Sequence, residues 1–361
     1  MGNGTNHLVN PSLSSSITNT FVGIGSSTVA VNNSKGFRIG QTVFVNRAAT
    51  AKWIRDNGMA DLVRDGKPQI WIGVGALIQQ PRVIESISGN NITLTVPLTD
   101  ALDKEYMSPY LSEYTPPPTS AEIGMEDFSI TLSPTCSGVA LNNETCTAPA
   151  ISISPWTFDS YIRRVNIAGF NNFIEVQSNA SRITISEVGI YRDQDTDNTS
   201  GYPADISIRG SQVLVQDSGQ YGLASAAGFA VITQSRAPGP NAVVRHAARG
   251  TRQSLYPHHR WAHGFLADDS SAPVELVNRG TAGTGHGWAI NAGVAWNVRG
   301  AARIQSPPLG VNWGIGVTGS ITESNGTLVS SGTAVSPASL FDAQLARRRG
   351  MVKQRGSDLL L

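Results

Sequence analysis

The sequence predicts an all-β protein whose larger part is a parallel β-helix, and three observations carry that expectation. Charged residues make up only 15% of the 361-residue chain while glycine alone numbers 37, a composition that favours many short strands joined by tight turns over packed helices. After residue 118, short apolar alternations ended by Gly, Asn or Asp recur at roughly twenty to thirty residues. No helix-length connection separates them, so each short strand must bury its face on the next turn of a solenoid.

The elements follow in order. Residues 20–105 form a first unit, in which Thr28, Val29 and Val31, then Val43 and Val45, alternate about turns at Gly36 and Gly40. Ile84, Ile87, Ile92, Leu94 and Val96 flank a Gly89-Asn90 turn, so the unit reads as antiparallel strands closing a small β-barrel-like module. Between its halves, Thr50 to Arg64 carries Trp53, Ile54, Met59, Leu62 and Val63 at helical spacing, which predicts a short helix capping the barrel. The Pro-rich run from Tyr114 to Pro118 marks a boundary. Residues 119–335 carry the repeated alternations, among them IGMEDFSITL, SRITISEVGIYR and WAINAGVAWNV. Residues 336–361 hold Arg347, Arg348, Arg349, Lys353 and Arg355 and read as a solvated or disordered tail.

Charge and cysteine usage narrow the function classes. A formal net charge of +1 gives no broad attraction for nucleic acid or an anionic membrane, and no apolar run reaches membrane-spanning length; neither partner is expected. Cys136 and Cys146 are the only cysteines. They fit either a disulfide or two reduced thiols. Sequons at Asn3, Asn32, Asn91, Asn143, Asn179, Asn198 and Asn325 favour the disulfide and a secreted glycoprotein, although the opening MGNGTNHLVNPSLSSS has neither the basic start nor the apolar core of a signal peptide.

The IGMEDFSI opening, the ladder of Val-x-Ile and Val-x-Val strands and the Asn and Gly corners resemble the secreted right-handed parallel β-helix proteins of the pectin/pectate lyase-like superfamily. The resemblance covers about Ala121 to Thr318, and modules like the one from Gly25 to Leu98 occur near the N-terminal ends of such helices. It implies a right-handed solenoid acting on a polysaccharide held along one face. The calcium site and arginine base of pectate lyases occur within short motifs that this chain lacks, so no catalytic residue carries over.

Five of the six histidines lie between His246 and His286, in a segment rich in Trp, Gly and Arg. Cleaving a uronic-acid glycan by β-elimination needs a cation for the carboxylate, a base for the C5 proton and an acid for the leaving oxygen. Lysine is absent from Glu105 to Val352, which leaves His, Arg or Tyr as base. His259, His263 and His286 are the expected acid–base groups, with Arg260 or Arg279 on the carboxylate. Trp261 and Trp288 are candidates for stacking on a sugar, and His258, Asp268 and Asp269 for further substrate contacts. If HHRWAHGF includes a strand, His259, Trp261 and His263 share one face and His258 and Arg260 the other. The bland alternative is a ladder of polar corner residues bonded to backbone.

Other chemistries are less well supplied. Hydrolysis or glycosyl transfer needs paired carboxyl groups, for which Asp268 and Asp269 are candidates although paired aspartates are commonly turn residues. Asp193, Asp195 and Asp197 alternate like a Ca²⁺ loop but lack its glycine and closing glutamate, and His258, His259 and His263 lack the spacing of a known metal motif, so no cofactor is expected. A non-catalytic glycan-binding or cell-wall protein is the third reading. An acidic polysaccharide is the expected partner.

Overall fold

A computed structural model describes residues 13–114, 116–117, 119–132, 149–192, 203–225, 228–249 and 253–357. Cys136 and Cys146, the Asp193, Asp195 and Asp197 run, and the sequons at Asn3, Asn143 and Asn198 lie outside the described residues.

Six antiparallel strands form the N-terminal unit, in the order Ser14–Ser16, Tyr110–Glu113, Thr42–Ala48, Leu77–Ser88, Asn91–Leu94 and Thr28–Ala30. An Ile17–Val31 bridge joins the last to the first and closes a barrel. The alternating residues read from the sequence fill it: Val29, Val31, Val43, Val45, Ile84, Ile92 and Leu94 pack with Ile17 and Leu111 in one buried cluster.

The expected helix is shorter than its apolar spacing suggests. It spans Ala51–Asp56, where Thr50 Oγ1 accepts from the Trp53 amide at 3.2 Å and caps the first turn. Gly58, at a φ of 71°, ends it. Val63 and Arg64 instead pair with Pro68 and Lys67 in a small hairpin arm. The helix also does not fill the barrel. Trp53 and Ile54 join Met59, Trp71, Met107, Trp261 and Trp288 in a separate apolar cluster that seals the barrel onto the solenoid.

The rest of the fold is a parallel β-helix. Its larger sheet stacks Thr157–Ala168, Ser181–Arg192, Ser211–Gln216, Pro238–Val244, Ala262–Asp268, Ile290–Trp296 and Trp313–Ile315 in parallel register. Ile162, Ile185, Val215, Val243, Ala267 and Ala295 lie level in successive coils and are almost wholly buried. A second face runs Ile151, Ile174, Ile206, Val231, Leu255, Val274 and Ala302. One methyl-rich side chain from each coil thus rests on the next, which is how strands of three to twelve residues become stable.

Corners bend the coils at fixed levels. Asp127, Arg164, Glu187, Asp217, Arg245, Asp269 and Asn297 align from coil to coil, and all adopt φ between 47° and 62°. Their charges mostly alternate, and Arg164 pairs with Asp127 and Arg245 with Asp217 at 2.6 Å each.

The C-terminal residues are not a loose tail. Leu340–Ser357 is a helix whose start is docked on the solenoid. Asp268 accepts from Ser339 Oγ at 2.8 Å and from the amides of Phe341 at 2.7 Å and Leu340 at 3.3 Å, while Arg245 pairs with Asp342 at 2.7 Å. Asp268 satisfies amides that a helix start leaves without intrahelical partners.

Candidate functional site

Where each coil leaves the second face and turns back into the larger sheet, its corner carries long polar side chains. Backbone bonds stack these corners: Arg209 N to Val176 O at 2.8 Å, Gln234 N to Ile208 O at 2.8 Å, His258 N to Thr233 O at 2.9 Å, Arg236 N to Arg260 O at 2.9 Å and Arg260 N to His286 O at 3.0 Å. The result is a ridge running from Arg209 through Arg236 to Arg260, His258, His259 and His286.

Three imidazoles meet on it. Ring centroids of His258 and His259 are 4.6 Å apart, those of His258 and His286 4.8 Å, and those of His259 and His286 5.0 Å. The Nδ1 atom of each is buried and makes no hydrogen bond. Burial, reinforced by neighbouring positive groups, lowers His258 to about 2, His259 to about 4 and His286 to about 3. The charges acting on His259 and His286 come from Arg64, Arg209, Arg260 and Arg279 as well as from the imidazoles themselves. At neutral pH the three rings are uncharged within a positive field.

The surrounding loop holds this arrangement from both sides of the seam. Arg260 Nη2 donates to Thr284 Oγ1 at 2.6 Å and to its carbonyl at 2.8 Å. Arg279 Nη1 donates to His258 O at 2.9 Å and its guanidinium lies 4.8 Å from the Tyr256 ring. Arg64, on the barrel's hairpin arm, donates to Gly283 O at 2.8 Å. Gly283 and Gly287 have φ of 58° and 52°; a Cβ on the first would strike the His286 ring and on the second the Trp71 indole. The GTGHGW glycines are therefore corners that let this loop close on the imidazoles and the barrel.

The remaining sequence candidates lie elsewhere. His263 and Trp261, each 1% exposed, face the barrel, not the ridge. His263 Nδ1 is 2.8 Å from Thr99 Oγ1, and Trp261 Nε1 donates to Asp100 Oδ1 at 3.0 Å. Trp288 is also buried and donates to Asn57 O at 3.0 Å, so neither indole offers a face to a sugar. Strand alternation fails here because Arg260 and Trp261 are consecutive left-handed residues, with φ of 56° and 59°, and the strand begins only at Ala262. This turn separates His259 from His263. Asp268 caps the C-terminal helix, and Asp269 forms an ion pair with Arg299 at a corner. The two do not form a catalytic carboxyl pair. Among the described residues, no group of three or more His, Cys, Asp and Glu side chains could hold a metal ion, and no helix is long and apolar enough to cross a membrane.

No protein-family model matches the chain, and no curated protein is significantly similar to it. Among solved structures, the tailspike protein gp49 from Pseudomonas phage LKA1 is 12% identical, with a TM-score of 0.33 over 89% of this chain and 59% of its own. The gp54 tailspike of Acinetobacter baumannii bacteriophage AP22, solved with an A. baumannii capsular saccharide, is 10% identical, with a TM-score of 0.31 over 88% of this chain and 63% of its own. The Pseudomonas phage phi297 tailspike gp61 is 12% identical, with a TM-score of 0.32 over 88% of this chain and 55% of its own. The chain thus spans about 55 to 63% of the length of these structures, and its β-helix rests on the strand registers described above.

Proposed function

We propose that this chain is an extracellular carbohydrate-active protein that binds an acidic polysaccharide along the ridge and cleaves it by β-elimination. The observation carrying this reading is the meeting of His258, His259 and His286, uncharged and with unpaired Nδ1 atoms, inside a ring of guanidinium groups. A uronate carboxylate paired with Arg260 would lose charge and its C5 proton would become more acidic. His259 accepts that proton; the C5–H and C4–O bonds break, the C4=C5 double bond forms, and His259 returns the proton to the departing C4 oxygen. The resemblance to pectin/pectate lyase-like proteins supports a polysaccharide as ligand and supplies no catalytic residue. Hydrolysis has less support, because Asp268 and Asp269 are committed to a helix cap and an ion pair.

One observation favours a second reading. Imidazoles lowered to between about 2 and 4 are weak bases, which suits a protein that binds an acidic glycan without cutting it. Incubation with pectate, alginate, glucuronan, ulvan and glycosaminoglycans, following the ultraviolet absorbance of the unsaturated uronate while counting reducing ends, separates the readings. Rising absorbance that His259→Ala abolishes is the expected result. Reducing ends without absorbance would mean hydrolysis; binding without either signal would mean a glycan-binding protein.

A further inference from the structure

Beside the imidazoles, between the barrel and the solenoid, lies a cleft of about 890 Å³. One wall is barrel, with Phe44, Leu77 and Gln79; the other is the continuation of the ridge, with Asn179, Arg209, Gln212 and Arg236. Among the described residues, five arginines and no acidic residue line it: Arg82, Arg182, Arg209, Arg236 and, from the C-terminal helix, Arg348. Arg209 is exposed. Burial and the charge of Arg260 lower the Arg236 guanidinium. Among the described residues no counter-charge lies between these positive groups, apart from the Asp159 carboxylate bound to Arg182 at 2.5 Å.

Aromatic rings close the other end. Phe44 and Tyr114 have centroids 4.4 Å apart and Tyr114 and Trp156 5.2 Å, a row of tilted rings running from the barrel to the first solenoid coils. Trp156 and Phe158 remain partly exposed. Guanidinium groups and amide side chains beside accessible ring faces are what a charged sugar requires: cations for its acid groups, amides for its hydroxyls and an apolar plate for its C–H face. A single-stranded nucleic acid could use the same group types, but the net charge of +1 and the short extent of the cleft supply no track for a phosphate backbone.

We infer that this cleft is a binding site for two or three residues of a carboxylate- or sulfate-bearing oligosaccharide, with Arg209 and Arg236 on its acid groups and Trp156 against a sugar ring. It shares the ligand class of the proposed function but not its chemistry: the cleft binds, and the imidazoles lie outside it. The two are neighbours, since Arg236 N bonds to Arg260 O at 2.9 Å and the charge of Arg209 acts on His259.

Titration calorimetry with the full chain tests the site. The probes are an oligogalacturonate hexamer, an oligomannuronate hexamer and a heparin hexasaccharide, against maltohexaose and a thymidine hexanucleotide. At least one acidic saccharide should bind and maltohexaose should not. Arg209→Ala, which removes an exposed side chain, should weaken binding by about ten-fold or more. Trp156→Asn, which keeps a residue tolerant of the φ of 66° found there, should weaken it similarly, while Arg299→Ala, which removes an arginine outside the cleft, leaves it within about two-fold. Binding that ignores both cleft variants, binding of the hexanucleotide alone, or no binding by any acidic probe would overturn the inference. Saccharide binding by the native chain with no cleavage of any acidic probe would sink the lyase reading and leave the cleft standing.

Discussion

The indole of Trp261 in the solenoid donates to Asp100 of the barrel at 3.0 Å, and both side chains are almost wholly buried. Asp100 also accepts from Arg47 Nε at 2.5 Å and Asn291 Nδ2 at 3.1 Å. The Arg47 guanidinium in turn lies 4.3 Å from the Trp53 ring. A single carboxylate thus ties two barrel segments to two solenoid coils. Trp261→Phe keeps most of the ring and removes one donor to a buried charge, so it should cost about 1.5–3 kcal/mol of stability. Chemical denaturation should read that loss while saccharide binding stays unchanged. A binding loss with no stability loss would instead place Trp261 in the ligand site.

Asp100 also makes stability depend on pH in a definite direction. Burial alone would raise its pKa, but the Arg47 charge and the hydrogen bonds from Arg47 and Trp261 hold it below 3.8. A depressed folded-state pKa contributes stability that is present above the unfolded value and lost as pH falls through the folded one. Asp100→Asn should therefore flatten the acid limb of the stability profile below about pH 4. At neutral pH it should cost about 3–5 kcal/mol, because Arg47 is left buried without its partner. An unchanged acid limb in this variant would show that another group carries it.

How legible these features are in the sequence follows from the range of the interaction. Period-two alternation is local, so the barrel strands and the solenoid coils can be read from residues such as Val43 and Val45 or Ile183 and Ile185. The meeting of His258, His259 and His286 was foreshadowed by their crowding into one segment. The separation of His263 was not, because two left-handed residues, Arg260 and Trp261, reset the faces and nothing in their side chains announces it. Nothing in the sequence singles out Asp100; its partners come from residues 47, 261 and 291, which only the docking of barrel on solenoid brings together. The arginine cleft was hidden for the same reason. Arg209 and Arg236 belong to different coils, and coil length sets their alignment.

The C-terminal helix gives a third test. Asp268→Ala removes the acceptor for two amides and the Ser339 hydroxyl, a loss of about 0.5–2 kcal/mol for a helix cap. The Arg245–Asp342 pair is half exposed and contributes little by itself. Limited trypsin digestion should then cut the Arg347 to Arg349 region faster in the variant than in the native chain. Because Arg348 lines the cleft, affinity for acidic oligosaccharides should fall slightly with it. Equal cleavage rates would show that the contacts of Trp296 and Asn297 with residues 335–338 hold the helix alone.

Finally, the imidazoles couple ligand binding to protons. In the free protein burial and the nearby arginines keep His258, His259 and His286 at about 2, 4 and 3, so none carries charge at pH 7. A carboxylate bound at Arg260 partly cancels the positive field and raises all three. A group whose pKa is higher in the complex takes up a proton on binding, and affinity then rises as pH falls toward the raised value and levels off below the free one. Calorimetry of an acidic oligosaccharide between pH 7 and 5, in buffers of different ionisation enthalpy, should show proton uptake and tighter binding at the lower pH. The His259→Ala and His286→Ala double variant should lose most of that dependence while retaining the arginine-driven salt dependence. Proton release on binding, or a profile unchanged in the double variant, would mean that the saccharide's acid group does not reach the ridge.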